Sequence, residues 1–151
     1  GGDEVAFKSS LQVLNLYSKY SKRMGNSGTG QLTKMVNQIC IAGLIQALAE
    51  GMHFSEKAGL NTQEVIEVIS RGAAQSWQMD NRWESMLADY YEHGFAVDWM
   101  RKDLGFVLEE SVVNGSNLEI TNLIDSFYAE VQQRGGGRWD TSSLFRRLNS
   151  Q

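Results

Sequence analysis

Apolar residues recur at helical steps over most of this chain. The longest run lies in the stretch Gly25 to Ala58, where Leu32, Met35, Val36, Ile39, Leu44, Ile45, Leu48 and Met52 follow three- and four-residue spacings. No charged residue occurs between Lys34 and Glu50, and Ile39 to Ala49 is apolar nearly all round apart from Gln46. That pattern predicts one long helix, roughly 40 Å from end to end, buried through the centre of a domain. A glycine-rich turn (Gly25, Gly28, Gly30) feeds its start, and Gly59 is placed to stop it.

Shorter elements follow from the same reading. Asp3 is positioned to cap a helix carrying Val5, Ala6, Phe7, Leu11 and Leu14, and Tyr17 to Met24 reads as a short strand. Asn61 with Glu64 makes a capping-box-like start for a helix from Thr62 to Arg71 that buries Val65, Ile66, Val68 and Ile69. The small residues Gly72 to Ala74 then lead to Ser76, read either as a pocket wall or as the N-cap of a helix running to Tyr91. Trp77, Met79, Trp83, Met86 and Leu87 on that helix are expected in a core or a subunit interface.

After a linker from Glu92 to Asp98, a helix holds Trp99 to Phe106 and ends at Asn114-Gly115. Glu119 to Arg134 forms another, with Ile120, Leu123, Ile124, Phe127, Tyr128 and Val131 on one side. Gly135 to Gly137 is a break, and Asp140 caps a short last helix through Leu144 and Leu148. With no proline anywhere, nothing in the sequence breaks these helices from within. The fold class expected is all-α.

Composition narrows the function. A net charge of −4 over 151 residues argues against a nucleic-acid partner, which calls for a basic stripe. The single cysteine, Cys40, cannot form an internal disulfide and is assigned to packing in a reducing compartment. No signal peptide is evident. No uninterrupted apolar run of the ~20 residues that span a bilayer is read either, so a cytoplasmic protein without a membrane partner is expected. Glu50 and His53 form a carboxylate–histidine pair of the di-iron type but lack the second copy such sites require, so no metal is expected. Gly28 to Thr33 only mimics a dinucleotide turn, ending in Thr where glycine is needed. Gly25 to Gly30 has the spacing of a phosphate loop, but Gln31 and Leu32 stand in place of Lys and Ser/Thr.

Lys34 stands apart. It occupies the first turns of the long helix, where the positive end of the helix dipole disfavours a cation. Asn37 and Gln38 lie three and four positions on, along the same face. A glycine turn, a lone lysine and two amides at a helix start could hold an anion and move a proton. Burial and the dipole would both push such a lysine down toward neutrality. The plainer reading has Lys34 reaching solvent and the amides satisfying loop backbone.

The string Gly25-x-x-Gly28-x-Gly30-x-x-x-Lys34-x-x-Asn37-Gln38, followed by an apolar helix ending in AEGMHFSEKAGL, resembles the start of the second domain of the β-hydroxyacid dehydrogenases. The 3-hydroxyisobutyrate dehydrogenases and tartronate semialdehyde reductases are the members most similar to it. The resemblance implies a helical bundle around one long helix, like the C-terminal domain of 6-phosphogluconate dehydrogenase. Residues 1–24 would be the tail of a dinucleotide-binding Rossmann domain, and 25–151 the substrate-binding and dimerisation domain. By this resemblance Lys34 is the catalytic acid/base, and Asn37, Gln38 and Gly30 bind substrate. Lys102, in a Lys102-Asp103-Leu104 step similar to the family's second signature, lies with Ser76 by the cofactor, and Asp103 is read as a capping or tethering residue. The Asp140-x-Ser142-Ser143 pattern also resembles the family's C-terminal segment. Arg138, Arg146 and Arg147 near it could reach a neighbouring subunit or an anionic ligand.

The activity so implied is hydride transfer between NAD or NADP and a small β-hydroxyacid, with the cofactor held mostly by a Rossmann domain ahead of Gly1. The partners implied are that domain, the hydroxyacid, and further copies of the chain as a dimer or tetramer. The alternative of a different class is an inactive helical module kept for assembly, in which the lysine would be expected to be lost.

Overall fold

The computed structural model describes residues 1–149, and among these every regular element is helical. The helices are α1 (Glu4–Leu14), α2 (Thr29–Lys57), α3 (Thr62–Ile69), α4 (Trp77–Leu87), α5 (Val97–Asn114), α6 (Glu119–Gln133) and α7 (Leu144–Asn149), the last entered through a 3-10 turn at Thr141–Ser143. The chain divides into two compact units, Gly1–Asn37 and the residues from Gln38 onward.

In the first unit, Asp3 caps α1 by accepting the Ala6 N–H at 2.8 Å. No residue of α1 is buried. What orders the unit is polar. The Gly2 N–H donates to the Gly25 carbonyl at 3.0 Å, and the Arg23 guanidinium donates to the carbonyls of Gly2 and Gly25 at 3.0 and 2.8 Å. Tyr17 to Met24, expected as a strand, has no strand partner among the described residues and carries no strand assignment. Extended backbone becomes a stable strand only in a ladder.

The second unit holds the core. α2 contributes Ala42, Ile45, Leu48, Ala49 and Met52, packed with Ile66, Met79, Met86, Met100, Leu104, Ile124 and Tyr128 from the other helices. Gly59 (φ +73°) ends α2 in a left-handed turn in which the Leu60 N–H reaches the Ser55 carbonyl and the Gly59 N–H that of Glu56. Asn61 then caps α3 as expected, accepting the Glu64 N–H at 3.4 Å and donating to its carboxylate at 3.1 Å. Met79 and Met86 of α4 enter the core, while Trp77 stays exposed under the Arg82 guanidinium. On α5 and α6, Arg101 makes a two-pronged pair with Asp125 at 3.0 and 3.1 Å, and those hydrogen bonds hold its guanidinium above its ordinary value.

Three expectations need correction. Val68 is 72% and Ile69 37% exposed rather than buried, because α3 has only one face against the core and Ile66 takes it. Cys40 is an exposed thiol and not a packing residue, since Gln38 and Ala42 hold the buried face of α2 there. By length and composition α2 also qualifies as a possible membrane-crossing helix, with a mean hydropathy of 1.3 over a window that is 33% buried. Its few amides are too sparse to lower that mean. Gln38 and Gln46 are nonetheless buried, with Gln46 donating to Glu50 at 2.6 Å, as in the core helix of a bundle.

The C-terminal end of the second unit is organised by Asp140, whose side chain is fully buried. Its carboxylate accepts from Arg82 Nε at 3.1 Å, the Phe95 N–H at 2.8 Å, and the Ser142 N–H and hydroxyl at 3.1 and 2.6 Å. Four donors offset the cost of burying this charge. Gly94 (φ +68°) passes so close that a Cβ there would collide with the Asp140 carboxylate, so glycine is required on two counts. Burial pushes the phenols of Tyr91 and Tyr128 well above the usual tyrosine range, with the Asp89 and Asp140 charges adding to the effect.

Candidate active site

The glycine turn works as close backbone packing. A Cβ at Gly30 would sit 2.9 Å from the Gly1 nitrogen, so Gly30 lets the Gly1 backbone pack close to the beginning of α2. Thr29 closes the same turn, its hydroxyl donating to the Asn26 carbonyl at 2.8 Å. Lys34 and Asn37 follow on α2, and both are exposed. The burial expected for Lys34 is therefore not supplied by this chain. The helix presents its amine instead of enclosing it, and desolvation would have to come from whatever docks there.

Gln38 is handled differently. It is 1% exposed, and its amide nitrogen donates to Asp103 Oδ2 at 2.8 Å and approaches the Met100 sulfur at 3.8 Å. The other carboxylate oxygen of Asp103 lies 3.8 Å from Lys102 Nζ. Asp103 thus ties the amide of α2 to the ammonium of α5, the tethering role expected of it. Orientation follows from chemistry. A carboxylate only accepts, so the NH2 end of Gln38 faces Asp103 and the carbonyl end faces away. The tie spans 65 residues of sequence, and no local pattern announces it.

The two residues expected near a cofactor divide. Lys102 is exposed on α5, its ammonium 5.3 Å from the Trp99 ring centroid and 3.8 Å from Asp103. Ser76 caps α4, its hydroxyl accepting the Met79 N–H at 3.1 Å, which is the capping reading. Ser76 also borders an apolar recess of about 200 Å³ between α2, α3 and α4, walled by Leu48, Met52, Ile66 and Met79. That recess lacks the charge to hold a phosphate. With no strand among the described residues, no strand–turn–helix cradle for a pyrophosphate exists in them. These residues offer a dinucleotide one cationic edge and do not form its site alone.

The remaining candidates are structural or unassigned. Arg147 pairs with Glu130 at 2.8 Å, Arg146 lies 3.5 Å from Asp89, and Arg138 sits 5.8 Å from the Trp99 centroid. His53 shares a 2.7 Å hydrogen bond with Asn149. No group of three or more metal-ligating side chains occurs among the described residues. In the sequence the Asp140 cluster shows as a cap and as a pattern similar to the family's C-terminal segment, and its partners Arg82 and Phe95 do not show at all.

A family model described as NAD-binding of NADP-dependent 3-hydroxyisobutyrate dehydrogenase matches residues 28–148. An uncharacterized oxidoreductase of Shewanella frigidimarina (strain NCIMB 400) is 57% identical over 98% of this chain and 51% of its own length. The 2-hydroxy-3-oxopropionate reductase of Escherichia coli (strain K12) is 30% identical, over 98% of this chain and 51% of its own. Among solved structures, a 3-hydroxyisobutyrate dehydrogenase from Salmonella typhimurium superposes with a TM-score of 0.87 at 27% identity, over 96% of this chain and 51% of that one. The chain spans about half the length of the curated relatives it matches.

Proposed function

We propose, from the premise that this chain belongs to the NADP-dependent 3-hydroxyisobutyrate dehydrogenase family, that it is the helical half of an NAD(P)-dependent oxidoreductase acting on a small β-hydroxyacid. The observation that carries this reading is on α2. An exposed lysine and an exposed amide, Lys34 and Asn37, are followed at once by a buried amide held at 2.8 Å by Asp103. An exposed cation with a fixed neighbour on one helix suits a group that must meet a ligand and exchange a proton.

In this reading Lys34 takes the proton of the substrate hydroxyl as the carbinol carbon is oxidised, and returns it in the reverse reaction. Asn37 and Gln38 orient the hydroxyacid. Gly30 keeps the turn before them compact, and Lys102 offers its charge to the cofactor side. The nicotinamide, when bound, accepts or supplies the hydride, and a dinucleotide-binding domain ahead of Gly1 is the proposed holder of that cofactor. Exposed apolar residues such as Phe54, Leu60 and Val68 support assembly into a homo-oligomer. A reducing, cytoplasmic setting is proposed with it.

The test is an assay of the whole enzyme on 3-hydroxyisobutyrate, serine and tartronate semialdehyde, each with NAD(H) and NADP(H). Turnover of at least one is expected. A folded, assembled protein inactive on all of them would leave the assembly module. Calorimetry on residues 1–151 alone should show little heat with NAD, and tight binding there would misplace the cofactor site.

A further inference from the structure

In the second unit a recess of about 200 Å³ is lined by Val131, Arg134, Trp139, Ser143, Arg146 and Arg147. Its charges do not cancel. Arg147 is tied to Glu130 at 2.8 and 3.3 Å and lies 3.7 Å from the Phe127 centroid. Arg146 lies 3.5 Å from Asp89 and packs over Trp139 at 4.6 Å. Arg134 donates to the Arg147 carbonyl at 3.4 Å and pairs with no carboxylate among the described residues. Three guanidinium groups thus face two carboxylates, an excess of one positive charge.

Ser143 adds an independent sign. It is completely buried, and its hydroxyl has no hydrogen-bond partner. Its neighbour Ser142 is satisfied by Asp140, so this is not a general failure of the turn. A buried hydroxyl without a partner has lost its water and gained nothing in return. It borders a recess rimmed by excess positive charge, where the missing partner would be an acceptor carrying negative charge.

We propose that this recess binds a single oxyanion, a phosphate or carboxylate group, held between the Arg134 guanidinium and the Ser143 hydroxyl in the field of Arg146 and Arg147. The small volume fits one such group and not a dinucleotide. The proposal uses none of the residues assigned to hydroxyacid chemistry, so either can fail without the other.

The experiment is calorimetry and thermal melting of the chain with inorganic phosphate or succinate at constant ionic strength, against chloride. Phosphate or succinate should bind and raise Tm where chloride does not, and the tighter of the two identifies the group. Ser143→Ala should weaken that binding about fivefold, the scale of one hydrogen bond. The same variant should melt no lower than the parent without ligand, because it deletes an unsatisfied group. Arg134→Gln should weaken binding about tenfold or more, as expected for a charge-assisted contact. Phosphate and succinate no better than chloride would overturn the proposal, as would binding that both variants leave unchanged.

Discussion

Two carboxylates of the second unit, Asp140 and Asp103, are treated in opposite ways. At Asp140 a carboxylate is fully enclosed and takes four donors from three separate segments, leaving it nothing to offer a ligand. Near the start of α2, Asp103 is only partly buried and secures one amide, while Lys34 and Asn37 just upstream stay exposed. The first arrangement spends its polar groups on holding the fold. The second fixes one buried amide beside exposed neighbours. In sequence each is a single aspartate, beside a lysine in one case and a threonine in the other, and only the distribution of partners tells a fastening from a site.

Substitutions should separate the two. The largest effect on stability is expected for Asp140→Asn, which leaves Arg82 facing a neutral amide in a site built for charge. Losses of about 3–5 kcal/mol are typical when one partner of a buried pair is removed, and urea denaturation would read them. A loss below about 1 kcal/mol would mean that the cluster is not the fastening described. Asp103→Ala should cost less, about 1–3 kcal/mol, for leaving the Gln38 amide unsatisfied. In the whole enzyme it should also raise KM for the hydroxyacid. Unchanged KM would make Asp103 purely structural.

Alkali should act on the Asp140 end. Tyr91 and Tyr128 are held neutral in the native state by burial, while in the unfolded chain their phenols ionise near pH 10. Their contribution is intact below that pH and is lost as pH rises above it. The slope expected is about 1.4 kcal/mol per pH unit for each phenol. Tyr128→Phe should flatten the decline between pH 10 and 11, and an unchanged slope would contradict the assignment. Ser76→Ala should have the smallest effect, about 1 kcal/mol for a lost cap. A rise in cofactor KM beyond that loss would return Ser76 to the cofactor site.

How much of this was legible in sequence follows from how far each interaction reaches. The caps at Asp3, Asn61 and Ser76 and the stop at Gly59 are set by residues within a turn of one another, so spacing reveals them. Periodicity revealed α2 for the same reason. It could not tell that Val68 and Cys40 face outward, because that depends on which neighbours cover each face. The strand expected at Tyr17 to Met24 looked like one locally but needs a pairing partner that these residues do not contain. The Gln38–Asp103 tie and the Arg82–Asp140 pair join residues 65 and 58 positions apart, and nothing at either end names the other. For Lys34 the resemblance supplied the role, while the structure shows only that the side chain is presented.

That role is the central claim, and one measurement bears on it most directly. Lys34→Ala in the whole enzyme should lower turnover by roughly 10² or more, the scale of a lost acid–base group. Because the side chain is exposed, Tm should stay within a degree or so of the parent. Turnover close to the parent's, with the fold intact, would contradict the account and leave this helical domain with assembly alone.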